Sequence, residues 1–113
     1  PDTLPAGQHV WKVSNVGTQP HQMIVGKVPD GMTFEQVLAG FLPPSESTPV
    51  GGAMTRAQFH SVGGIEIMSP GNTVWSLIDL SQPGTYAVVC LVPDEHNGML
   101  HASEGMVSVF TVA

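Results

Sequence analysis

The sequence predicts an all-β chain, folded as a Greek-key β-sandwich with one short helix in an inserted loop. Three observations predict it. Six stretches are rich in Val, Ile, Thr and aromatic residues, clusters of Gly, Pro, Asn and Asp separate them, and thirteen Gly and ten Pro require many turns. A length of 113 residues suits a single domain spanning 1–113 with one core.

Taken in order, the chain opens on a turn-like Pro5, Ala6 and Gly7, so by this reading it lacks the first edge strand of such a sandwich. Strand-like segments follow at 9–15 and 21–28, separated by a turn at Asn15 to Gly17. After a turn at Pro29, Asp30 and Gly31, residues 33–40 read as a short helix. Thr33 is its N-cap, Gln36 completes a capping box, and Gly40 ends it. Residues 41–52 then form a loop rich in Pro, Ser and Gly. The whole of 30–63 reads as an insertion between two strands, too short to bury its own core, with the helix covering one edge of the sandwich and blocking edge pairing. Further strands fall at 65–68, 73–80, 84–91 and 106–112, with turns at Ser69 to Asn72 and at Gln82 to Gly84. In 84–91 the side-chain period of two places Tyr86, Val88 and Cys90 on one inward face.

Composition excludes several function classes. Nine acidic residues against three basic ones (Lys12, Lys27 and Arg56) give a formal net charge of −6. That balance opposes binding to nucleic acid or to anionic membranes, and it permits a basic protein partner. No apolar run approaches the roughly 18 residues of a membrane-spanning helix. There is no basic-then-apolar leader, so the chain reads as a mature or trimmed product. An enzyme is not expected: there is no Gly-x-Ser-x-Gly, no phosphate loop and no convincing carboxylate pair, since adjacent Asp94 and Glu95 would point apart.

Cys90 is the only cysteine, so it makes no internal disulfide. Downstream, His101 and Met106 stand in a His-x4-Met pattern. One thiolate, one imidazole and one thioether from a single strand-loop-strand unit are three of the four ligands of a mononuclear blue-copper site. The fourth would be a histidine from elsewhere, and His21, after Pro20 at the start of a strand, is the obvious candidate. The donor set has a chemical logic. A soft thiolate and two neutral imidazoles suit both Cu(I) and Cu(II), and a weakly held methionine sulfur favours Cu(I). Each residue also has a plainer reading: Cys90 as an inert buried thiol, Met106 as core filler, His21 as a turn residue satisfied by backbone. His9, His60 and His96 read as ordinary polar or surface residues.

In this order the motifs resemble those of the cupredoxins, the small blue copper proteins related to plastocyanin, azurin and pseudoazurin. Asn15, Gly17, Pro20 and His21 resemble the family's Asn-x-Gly…Pro-His signature for the first ligand. Gly84, Tyr86 and Cys90 look like its Gly-x-Tyr-x3-Cys strand. His101, Gly105 and Met106, followed by a Val-rich terminal strand, are similar to its final ligand pair. The resemblance covers roughly 6–28 and 64–113. It implies copper held by His21, Cys90, His101 and Met106, electron transfer with a redox protein partner, and an extracytoplasmic location.

One feature departs from the family. Ten residues separate Cys90 from His101, a spacing nearer the long loop of copper nitrite reductases than that of small cupredoxins. His96 is therefore a rival to His101, and Met99 a weaker rival to Met106. The spacing to Met106 and the place of Gly105 favour His101. If His101 reaches the surface through an apolar patch, with Leu91, Val92, Met99 and Leu100 supplying part of it, it is the natural electron exit. Two other readings use the same residues: a copper-binding or delivery protein whose long loop lets a partner take the ion, and a metal-free cupredoxin-like interaction module.

Overall fold

A computed structural model describes residues 3–43, 50–104 and 106–113. The middle of the 41–52 loop and Gly105 therefore lie outside the described residues. Among the described residues seven strands form: β1 (Thr3–Leu4), β2 (Gly7–Ser14), β3 (His21–Lys27), β4 (His60–Met68), β5 (Thr73–Leu80), β6 (Gly84–Val89) and β7 (Val107–Val112). An α-helix, α1 (Phe34–Phe41), and a short 3-10 turn (Arg56–Gln58) lie between β3 and β4. Five strands make one sheet in the order β1-β7-β6-β3-β4, and β2 and β5 make the other. All pairings are antiparallel except the parallel β1–β7 pair. The two sheets face each other as the expected β-sandwich.

The expected strands form, and their bounds differ in informative ways. β1 precedes the expected turn at Pro5 to Gly7 and supplies a two-residue edge strand where none was expected, its Thr3 and Leu4 pairing with Thr111 and Val112. β4 begins at His60 rather than 65, so the insertion is shorter than expected. Its early half passes through Gly63 and Gly64, whose φ of 149° and 148° belong to glycine. A Cβ on Gly64 would lie 2.2 Å from the Met23 carbonyl oxygen, so the strand fits against β3 only without one.

The sequence expectation of one inward face on β6 is half the truth. Tyr86 packs between the sheets with Val25, Ile78, Leu80 and Val112, and Val88 lies against that cluster. Ala87 and Val89 point the other way, into a second cluster with Val28, Val37, Phe41 and Met54. Both faces of β6 are therefore covered, which explains its unbroken apolar run. The second cover is α1, which lies on the face of the five-stranded sheet and not over an edge of the sandwich. Val37 and Phe41 are its buried residues, and Phe59 meets Phe41 edge-on at 5.0 Å. Burying one such side chain stabilises by about 1.5–3 kcal/mol.

The helix start is as expected: Thr33 caps Gln36 N–H and the Gln36 side chain caps Thr33 N–H. The stop is not. Gly40 lies inside the helix, which runs on to Phe41, and a Cβ there would sit 2.6 Å from the Met54 carbonyl oxygen. That glycine serves close approach of the returning chain. The Phe41 carbonyl at the helix end instead accepts a hydrogen bond from the Arg56 guanidinium at 2.8 Å.

The turn at Asp30 joins this insertion to the sandwich. Its carboxylate accepts from Lys27 Nζ at 3.0 Å and from Thr85 N–H at 3.3 Å. The hydrogen bond from Lys27, then that from Thr85, holds the carboxyl below its ordinary 3.8. A carboxylate with a depressed folded pKa stabilises the fold above its unfolded value and loses that effect as pH falls through the folded one. Asp30→Asn is therefore expected to unfold at lower urea than the wild type at neutral pH, with the gap closing below pH 3.8. Urea midpoints measured across the acid range check this; a gap that does not narrow would contradict it.

Candidate metal centre

Three elements converge at one end of the sandwich. The first is the 15–20 loop, held by Asn15, which is only 4% exposed. Its Nδ2 donates to the Gln19 and Met68 carbonyls at 2.9 and 3.0 Å, and its Oδ1 accepts from Gly17 N–H. That clamp delivers His21 at the start of β3. A Cβ on Gly17 would lie 3.0 Å from His21 Nε2, so the imidazole packs against bare backbone there. The second element is β6, which runs straight into buried Cys90.

The third is the long segment after Cys90, and it resolves the departure in spacing. It folds into its own hairpin: Asp94 N–H donates to the Met99 carbonyl, Gly98 N–H to the Asp94 carbonyl, and Pro93 bridges Leu100. His101 N–H then donates to the Val92 carbonyl, Met106 N–H to the His101 carbonyl, and Cys90 N–H to the Met106 carbonyl. Extra residues in such a hairpin lengthen it without moving its ends. His101 thus returns beside Cys90.

The resulting geometry brings three donors together. Cys90 Sγ lies 3.6 Å from His101 Nδ1 and 4.0 Å from His21 Nδ1. With metal–sulfur and metal–nitrogen bonds of about 2.3 and 2.0 Å, a trigonal site separates sulfur from nitrogen by about 3.7 Å. The donor set therefore fits one metal ion. Burial, and then repulsion from His101, hold the His21 imidazole below its ordinary 6.5, which keeps it neutral and available as a donor at neutral pH. The Gln22 backbone N–H points at Cys90 Sγ at 3.5 Å. Met106 lines an apolar cavity of about 430 Å³ together with His21 and Cys90, and is 39% exposed. His96 is exposed and outside the cluster, and Met99 does not line that cavity.

His101 does not reach the surface. It is 4% exposed, so the condition for its being an electron exit is not met. Its outer nitrogen, Nε2, lies 3.1 Å from Gln19 Oε1. Sequence reasoning missed two groupings here. Gln19 touches the 91–104 segment from far away in sequence, and no motif announces it. Asp94 and Glu104 gather around His101, although in sequence Asp94 stands out only beside Glu95. Asp94 is held below the usual carboxylate range, chiefly by the His96 N–H.

No protein-family model matches this sequence, and no curated protein matches it. Solved structures do match the fold. A sodium-dithionite-reduced auracyanin from the photosynthetic bacterium Roseiflexus castenholzii superposes with a TM-score of 0.62 at 20% identity, over 98% of this chain and 82% of that one. Auracyanin B gives 0.58 at 17% identity, over 98% of this chain and 75% of that one. At these identities the likeness is one of fold, and it agrees with the cupredoxin-like sandwich expected from the motifs.

Proposed function

We propose that this chain is a mononuclear type-1 copper protein acting in electron transfer, with His21, Cys90, His101 and Met106 as the ligands. The observation that carries the reading is the distance pair at Cys90, whose sulfur faces two imidazole Nδ1 atoms at 3.6 and 4.0 Å. A fold shared with a protein studied in its dithionite-reduced state supports it. When bound, copper would supply one-electron exchange between Cu(I) and Cu(II).

The chain's own residues do the rest. β6 and the two loops hold soft and borderline donors in place before any metal arrives, so little need move between oxidation states. Gln22 N–H stabilises negative charge on the sulfur. The partner is a redox protein. The location, as the resemblance to the cupredoxins implies, is extracytoplasmic, and metal ligation would account for an unpaired thiol there. The exposed Met106 and the cavity beside it favour copper delivery as a second reading, since a chelating partner has access there.

The test is addition of Cu(II) to the purified, reduced protein, followed by the visible spectrum. An intense thiolate-to-copper band is expected, with reversible reduction and reoxidation. A folded protein without that band overturns the type-1 reading. A band that vanishes by loss of the ion to a chelator, without reversible cycling, selects delivery.

A further inference from the structure

We infer that Gln19 is a positioning residue that fixes the ring of His101 for metal binding, a role that rests on the copper reading above. The argument begins with the side-chain amide. Its Oε1 accepts the Glu95 backbone N–H at 2.9 Å, and a backbone N–H can only donate. Its Nε2 faces Asp94 Oδ1 at 3.4 Å, and an ionised carboxylate can only accept. Both contacts orient the amide the same way, so the atom 3.1 Å from His101 Nε2 is an oxygen. His101 Nε2 must then carry the hydrogen and donate it.

A neutral imidazole with its hydrogen on Nε2 has its lone pair on Nδ1. That is the nitrogen 3.6 Å from Cys90 Sγ. Gln19 therefore sets the tautomer that makes His101 a ligand on the correct side, and stops the ring from turning. It does so while its own backbone carbonyl is held by Asn15 Nδ2 at 2.9 Å. One residue thus ties the loop bearing His21 to the hairpin bearing His101. It also covers the outer nitrogen of His101, on the side where the Asp94 and Glu104 carboxylates gather.

The test uses the ¹⁵N-labelled full chain, metal-free and with Cu(II), in the wild type, Gln19→Leu and Gln19→Glu. In the metal-free wild type at mildly alkaline pH, the His101 Nε2–H proton is expected as a slowly exchanging NMR signal. Gln19→Leu keeps the bulk and removes the acceptor; it should lose that signal and bind Cu(II) about 10–100-fold more weakly, the usual effect of losing an outer partner of a ligand histidine. Gln19→Glu keeps the acceptor for His101 Nε2 but sets a second carboxylate against Asp94, so it should keep the signal and bind Cu(II) more tightly than Gln19→Leu, though not as tightly as the wild type. If Gln19→Leu retains the signal, or retains wild-type affinity, the inference is overturned. If Gln19→Leu fails to fold, loss of the signal in Gln19→Glu overturns it. If the wild type takes up no Cu(II), the copper reading has failed, and the metal-free signal alone decides whether Gln19 sets the ring.

Discussion

Cys90→Ser is expected to abolish the visible thiolate-to-copper band while leaving the fold intact. The band needs a polarisable sulfur donor, and Cys90 is the only cysteine in the chain. A serine hydroxyl stays protonated at neutral pH and is a hard, weak donor to Cu(I). Both side chains are nearly the same size, and the buried position would still offer the hydroxyl the Gln22 N–H as partner. The hydroxyl's own hydrogen needs an acceptor in that buried place, so the cost in stability is about 1 kcal/mol or a little more. The fall in Cu(II) affinity should exceed the roughly 100-fold that loss of an outer partner brings. Copper titration followed by visible absorption, with far-UV circular dichroism on the same sample, reads both effects. A variant that keeps the band would show that the donors lie elsewhere.

The second large effect is expected at Tyr86. It is 1% exposed, stacks on Phe110 at 5.7 Å between ring centroids, and donates its hydroxyl hydrogen to the Gln82 carbonyl at 2.7 Å. Burial, then the nearby Asp79 carboxylate, raise its pKa above the usual 10.0, so the phenol keeps that hydrogen. Tyr86→Ala removes a large ring from between the sheets and is expected to cost about 3–5 kcal/mol, as for other buried aromatics. That is a fifth or more of the roughly 5–15 kcal/mol of a whole domain. Tyr86→Phe keeps the ring and loses only the bond to Gln82, for about 1 kcal/mol. Urea unfolding of the two variants separates packing from hydrogen bonding. Equal losses in both would place the effect in the hydroxyl and refute the packing account.

Much of this arrangement was legible in the chain before any coordinates, because strands announce themselves locally. Residues 73–80 alternate buried and exposed positions in their second half, and β5 has the bounds expected. The Thr33–Gln36 capping box is a four-residue signal, and it located the helix. Gly40 misled because a glycine demanded by a distant carbonyl looks in sequence like a glycine that ends a helix. The placement of α1 on a sheet face was also hidden. It depends on Ala87 and Val89 being buried as deeply as Tyr86, which an apolar run does not distinguish from one-sided burial.

The site divides in the same way. His21, Cys90 and His101 belong to residue types with few other uses in that order, and the structure brings their donor atoms together. Met106 lines the adjoining cavity. Gln19 carries no such signal. Its amide is ordinary chemistry, made specific only by a contact that crosses from the first third of the chain to the last.

The covering of β6 on both faces has a consequence for kinetics. Cys90 directly follows a strand packed on both faces, which is expected to open only with the fold as a whole, whereas buried His101 follows a hairpin closed by a few backbone bonds. The candidate site thus joins a donor beside a well-packed strand to one beyond a locally closed hairpin. If the site holds copper as proposed, metal residence would follow the hairpin's local opening more than global stability, so substitutions in 91–100 would tune lability with little change in melting temperature.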